Sequence, residues 1–193
     1  MNGTDSPVSI EKKYAAGIIR FLRPEQKNPL SVETLDALES VLRTLICESV
    51  ERIIITGSGD TFASGANIRE VAVLDPETAR DFGQKGQELM LSIARSPIPV
   101  IAAIDGYCFG GALDLAVACA KRVASERSVF CHPGPKLGII TGWGGTQFLP
   151  RLIGEKRALD MLLTARTVGA DEALEMGLID QINPDPLQAA LEI

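Results

Sequence analysis

Apolar positions along the chain alternate between two periods. In SVETLDALESVLRTLICE (residues 31–48) Leu35, Leu38, Val41, Leu42, Leu45 and Ile46 recur every three or four positions. That is the spacing of one helix face, and Ser31 in front of it is a good N-cap, so an amphipathic helix covering a sheet is predicted. RIIIT (Arg52–Thr56) is instead a short β-branched run closed by Gly57, the mark of a buried strand. A long helix is expected from the Asp75 cap and Pro76 to about Arg95, with Pro97 and Pro99 ending it before a strand over Val100–Ile104. Near the start, SIEKKYAAGIIRFL (9–22) holds two β-capable runs around Ala16 and Gly17, which suggests a hairpin or tight turn, and RPEQKNPLS then breaks the pattern.

Further on, Gly110 and Gly111 open GGALDLAVACA, a helix apolar enough to be mostly buried, followed by β-like stretches at 121–125 and 128–131. HPGPKLGIITGWGG reads as a loop, residues 146–163 and 171–176 as helical patterns, LIDQI as a last short strand, and PLQAALEI as the first turns of a helix that then stops. Strands alternating with helices make the fold class α/β. No repeat of fixed period, low-complexity tract or linker divides the chain, so a single domain over 1–193 is expected.

Composition narrows the function. With 193 residues, 46% hydrophobic and 23% charged, the chain has the size of one globular domain. Its longest apolar stretch, 98–104, contains Pro99 and ends at Asp105, far below the ~20 residues of a membrane helix. MNGTDSPVSIEKK has no apolar core of a secretory signal, so no membrane partner and a cytoplasmic location are expected. A net charge of -6 disfavours nucleic acid as a partner. His132 is the only histidine, so a multi-histidine metal site is excluded and no metal is expected. The cysteines at 47, 108, 119 and 131 lack ligand spacing and fall in apolar runs, which reads as buried, reduced thiols.

Two loops place small residues where a strand gives way to a helix, so a ligand can approach bare backbone N–H groups: FASGANI (62–68) and DGYCFGGALD (105–114). In the second, Gly111 falls in the first helical turn, where amides lack intrahelical partners and the dipole end is positive. Asp114 lies about one turn further on the same face, with its side chain tilted back toward that anion site. Two readings stand here: a carboxylate serving the site, or packing glycines with a solvated first-turn charge. Dinucleotide and P-loop sites fit poorly, because Gly57-Ser58-Gly59 is followed by Phe62 and no lysine follows a glycine run. Neither Ser58 nor Ser64 has the spacing of a nucleophile elbow.

FASGANIREV, SPIPVIAAIDGYCFGGALDLAVACAKRVAS, LGIITGWGGTQFLPRLIG and ARTVGADEALEMGLID, in that order over about residues 10–182, resemble the crotonase superfamily of enoyl-CoA hydratases and isomerases. The resemblance implies a spiral of repeated ββα units, with the C-terminal helical region shortened here. It implies acyl-CoA thioester substrates, coenzyme A entering only as part of the substrate with no separate cofactor, and a homotrimer or dimer of trimers. The oxyanion-hole amides would be those of Ala66 and Gly111, with Gly110 beside the second. Ala63, Gly65, Asn67 and Ile68 would lie near the adenine and pantetheine, and Lys27 and Arg69 would be candidates for the phosphates.

The hydratases of the family carry one glutamate on the helix after the double glycine and another in an FGQPE-type segment. Here the first position is Asp114, as in dienoyl-CoA isomerases, and the second is Gly134. GPKLG (134–138) is similar to GPKVG of the 1,4-dihydroxynaphthoyl-CoA synthases, where bicarbonate can stand in for the missing acid. The aspartate those synthases carry nearby is Thr141 here, and their histidine after the double glycine is absent. His132 could hold an anion, act as an acid or simply pack. One carboxylate favours double-bond migration through an enolate, with Asp114 as proton carrier, over concerted two-carboxylate hydration. The alternatives are synthase-like ring closure, hydrolysis, decarboxylation, or acyl-CoA binding without catalysis.

Overall fold

In the computed structural model, residues 6–48 and 50–193 are described, so the MNGTD part of the stretch read for a signal lies outside them. β1 (Val8–Lys13) and β2 (Ala16–Phe21) form an antiparallel hairpin that pairs Val8 with Phe21 and Lys13 with Ala16. The reversal falls at Tyr14 and Ala15, with Tyr14 at φ 54°, and not at Ala16 and Gly17 as the sequence suggested. Gly17 serves packing instead: a methyl group there would lie 2.6 Å from Leu45 Cδ2. β3 (Pro29–Leu30) precedes α1 (Val32–Cys47), which Ser31 caps by accepting the Thr34 N–H. Leu35, Leu38, Leu42 and Leu45 are the buried face of α1.

The chain then repeats one course. β4 (Arg52–Thr56), β7 (Val100–Ile104) and β9 (Lys121–Ala124) run parallel in a six-stranded sheet; β5 (Thr61–Ala63), β8 (Tyr107–Phe109) and β10 (Val129–Cys131) follow them in a four-stranded sheet. Helices come after each pair: α2 (Ile68–Val71) and α3 (Pro76–Ala94), then α4 (Gly111–Ala118), then α5 (Gly145–Ile153) and α6 (Glu155–Thr164). This is the ββα spiral, and no fixed sequence period betrays it because its connections differ in length. β6 (Gly65–Ala66) pairs in parallel with β3, which ties the loop after β5 to the segment before α1.

Alternation along the central strands sets the two sides of the large sheet. Ile53 and Ile55 of β4 and Val100, Ala102 and Ile104 of β7 enter the main core under the helices, while Ile54, Ile101 and Ala103 face the other way. α8 (Pro186–Leu191) covers that second side with Ala189, Ala190 and Leu191, and the Arg52 guanidinium donates to Leu191 O at 3.1 Å. Both faces being covered explains the unbroken apolar strands.

Three further expectations are corrected. The 146–163 pattern is two helices, because Gly154 at φ 85° breaks it. The last strand, β12 (Gln181–Ile182), is shorter than LIDQI: the Leu178 and Ile179 N–H groups bond to Ala173 O and close α7 (Ala170–Glu175) instead. β11 (Val168–Gly169) pairs with β10 just before α7. Cys47 is exposed at the end of α1, whereas Cys108, Cys119 and Cys131 are buried; all four thiols are free. Among the described residues no helix is long and apolar enough to cross a membrane.

Candidate active site

The two loops singled out by their small residues meet backbone to backbone. A methyl group on Gly65 would lie 2.5 Å from Phe109 O and 2.9 Å from the Gly111 nitrogen, and Gly65 sits at φ 90°. Only glycine allows this approach, and it sets Ala66 beside the start of α4. Gly110, at φ 55° and ψ -124°, is the N-cap of α4 and donates its N–H to Cys131 O at 2.8 Å. Its carbonyl accepts the N–H groups of Leu113 and Asp114, which leaves the Gly111 amide at the helix start with no intrahelical acceptor. Gly111 also admits Trp143: a methyl there would lie 2.4 Å from the indole ring.

A cavity of about 260 Å³ opens at this junction. Ala66, Gly110, Gly111, Asp114, His132 and Gly134 all line it, so residues distant in sequence converge there. Ile68 lines its mouth and is largely exposed, and the inner wall is apolar through Phe82 and Trp143, whose rings are 5.2 Å apart. Ala63, Gly65 and Asn67 do not line the cavity; Ala63 and Gly65 are buried in the strands beneath, and Asn67 caps α2 by accepting the Arg69 N–H at 3.1 Å.

Lys27 and Arg69 stand outside the cavity. Lys27 is exposed, pairs with Asp60 at 2.8 Å, and its carbonyl accepts the Ser64 N–H at the edge of the first loop. Arg69 is an exposed residue of α2 next to Ile68. Sequence reasoning missed Asn28, a 2% exposed side chain whose amide donates to Ser58 O, Thr61 O and Phe62 O while its oxygen accepts the Arg23 N–H. It anchors the strand before the first loop, and its position directly after Lys27 gave no signal beyond an Asn before a Pro.

Asp114 is 1% exposed, so it is not a solvated first-turn charge. The Thr141 hydroxyl donates to its Oδ2, while Oδ1 is buried with no hydrogen-bond partner. His132 Nε2, equally buried and unpartnered, lies 3.3 Å from Oδ1 without the alignment of a hydrogen bond. Burial raises the Asp114 carboxyl to about 7, even though Thr141 and the Trp143 backbone N–H favour its ionised form. Burial lowers His132 to about 4, so its imidazole is neutral. Thr141 and Trp143 are the site residues the sequence did not offer: Thr141 stood out only as a lost aspartate, and its hydroxyl is what holds the acid that is present.

Gly134 opens a short 3₁₀ turn (Gly134–Leu137) that folds back on itself, with the Ile139 N–H bonded to Gly134 O at 3.0 Å. A methyl at Gly134 would lie 2.6 Å from Ile139 O, so a side chain here requires that backbone to move.

Residues 11–191 match the family model described as Enoyl-CoA hydratase/isomerase. The chain belongs to the enoyl-CoA hydratase/isomerase family, within the crotonase superfamily. It is 38% identical over 177 residues to a crotonyl-CoA hydratase of Syntrophomonas wolfei, covering 91% of this chain and 68% of that protein. A short-chain-enoyl-CoA hydratase of Clostridium acetobutylicum is 35% identical over the same shares of the two chains. Among solved structures, the enoyl-CoA hydratase from Thermoplasma volcanium superposes with a TM-score of 0.96 at 33% identity, over all of this chain and 77% of its own.

Proposed function

We propose that this chain is an acyl-CoA enzyme that stabilises a thioester enolate and moves protons with Asp114. The observation that carries this reading is the meeting of an unshielded helix-start amide at Gly111, the loop residue Ala66 and a buried carboxyl in one small apolar cavity. A thioester oxygen held between the Ala66 and Gly111 N–H groups gains ~3–4 kcal/mol per well-placed donor as charge develops on it. The α-carbon becomes acidic in consequence, and a carboxyl poised at about 7 is matched to taking up or giving a proton near neutral pH.

The order of chemistry is double-bond migration or hydration of an enoyl thioester. In migration Asp114 removes a proton from one carbon of the enolisable chain and returns it to another. The pantetheine runs past Asn67 and Ile68, above the strand segments that bury Ala63 and Gly65, and Lys27 and Arg69 meet the phosphates from the exposed rim. Coenzyme A is part of the substrate in this reading, and the homotrimer or dimer of trimers is its expected assembly, checked by light scattering of the eluted protein.

The test is incubation of purified protein with crotonyl, 3-enoyl, dienoyl, 3-hydroxyacyl and malonyl-type CoA thioesters, followed by mass spectrometry with deuterium in the solvent. The expected result is α-deuteration with migration or hydration, lost in Asp114→Asn. Binding without any product or exchange overturns catalysis in favour of a thioester-binding role.

A further inference from the structure

One feature of the cavity wall is not used by a single-carboxylate mechanism. Asp114 Oδ1 and His132 Nε2 are the buried side-chain polar atoms that find no hydrogen-bond partner among the described residues, and they lie 3.3 Å apart. Buried polar atoms are nearly always satisfied, so two orphans in contact need a reason. The reason is not general looseness, since Oδ2 of the same carboxyl is held by Thr141 and its helix is buried on every side. Both residues line the cavity that holds the candidate amides. Cys108 on β8, a further titratable group close to Asp114, is buried with its thiol pushed well up by desolvation, and it stays neutral.

We propose that His132 is a second proton-transfer group of this site and forms with Asp114 a dyad sharing one proton, which supplies hydration chemistry in place of an acid at Gly134. This rests on the enolate reading above. In the hydrating form Asp114 is protonated and His132 neutral, with Nε2 3.3 Å from Oδ1. When water adds to the β-carbon of the enoyl thioester, its oxygen forms the new C–O bond and its proton passes to Nε2. The C–C π pair moves into the thioester enolate, which then takes the Asp114 proton at the α-carbon. An imidazolium and a carboxylate are left in contact, and transfer of the Nε2 proton to Oδ1 restores the hydrating form. Water and alkene are consumed, the 3-hydroxyacyl thioester is formed, and the protein is unchanged. At 3.3 Å a small turn of the ring aligns the two atoms, and the resetting step is a single short transfer.

Because His132 is the only histidine of the chain, the ¹⁵N signals of imidazole report on this one ring in the whole protein. The dyad predicts that Nε2 accepts while Asp114 is protonated and donates once Asp114 ionises, so the ring changes tautomer near neutral pH without becoming an imidazolium, and Asp114→Asn abolishes the change. In parallel, hydration of crotonyl-CoA and migration in a 3-enoyl-CoA are measured for the wild type, His132→Gln and His132→Asn. The expected result is a loss of hydration kcat of about 100-fold, with KM changed by less than threefold, and a loss of migration of about tenfold or less. A tautomer indifferent to Asp114→Asn, or hydration kept within threefold in both His132 variants, overturns the dyad and leaves the enolate reading standing. A wild type inert toward both thioesters overturns the enolate reading and the relay with it, even if the ring still follows Asp114.

Discussion

The two walls of the cavity are built on different principles. The wall from Ala66, Gly110 and Gly111 is backbone, set over the buried Gly65, and packed so closely that a methyl added at Gly65 meets Phe109 O at 2.5 Å and one at Gly111 meets the Trp143 ring at 2.4 Å. The wall from Asp114 and from His132 through Thr141 is made of side chains, and there the chain departs from the hydratases it resembles, with Gly134 closed off by Ile139 O at 2.6 Å. Backbone packed this tightly leaves no room for a Cβ, so glycine marks it in the sequence. Side chains that handle protons can be exchanged while the anion site is kept, which lets one scaffold serve several reactions.

The largest expected effect breaks the second wall alone. Asp114→Asn should lower turnover by ~10²–10⁴-fold while the Kd of a CoA thioester by calorimetry changes less than threefold. The same substitution should stabilise the fold at neutral and higher pH. Asp114 is raised from 3.8 to about 7, so between those values the folded chain keeps a proton that the unfolded chain has released, and stability falls as pH rises through that window. His132, lowered from 6.5 to about 4, acts oppositely: stability rises with pH from about 4 to 6.5. The two slopes offset each other in the wild type. In Asp114→Asn the histidine slope is left alone, and urea denaturation at pH 8 should report a gain on the order of 2 kcal/mol over the wild type.

Breaking the first wall costs stability as well as activity. Gly65→Ala must place a methyl against Phe109 O and keep φ near 90°, so a loss of about 2–3 kcal/mol in chemical denaturation is expected, together with weakened thioester binding. A smaller effect sharpens the second wall: Thr141→Val removes the hydroxyl that favours ionised Asp114. The acidic limb of the kcat profile for double-bond migration, which needs ionised Asp114, should move to higher pH, with kcat lower by about tenfold at pH 7. At the rim, Arg69→Ala and Lys27→Ala should each raise KM about threefold for CoA thioesters and leave KM unchanged for a pantetheine thioester lacking the phosphates.

Much of this architecture was legible along the chain. The α1 periodicity with its Ser31 cap, the RIIIT strand, the Asp75-Pro76 helix start and the Gly110-Gly111 helix start all appear where local physics puts them. These signals are short-range: caps, breakers and one-face patterns act within a few residues. The hairpin was displaced because Gly17 answers to Leu45 of α1, a packing demand invisible in its neighbours. The site was half legible for the same reason. The loops around Gly65 and Gly111 carry their chemistry in backbone, which small residues announce, whereas the contacts of Asp114 with His132 and Thr141 span 18 and 27 residues and arise only when β10 and the loop before α5 fold onto α4. Asn28 was missed likewise, because its carbonyl partners lie 30 to 34 positions away.

The proposed enolate chemistry requires one carbonyl oxygen between the Ala66 and Gly111 N–H groups, beside Asp114. It is tested most directly by a crystal structure of Asp114→Asn with an enoyl-CoA thioester bound. The account predicts the thioester oxygen about 3 Å from both the Ala66 and Gly111 nitrogens, with the α-carbon facing residue 114. A thioester oxygen turned away from the Gly111 N–H, or an acyl chain lying outside the cavity, would contradict it.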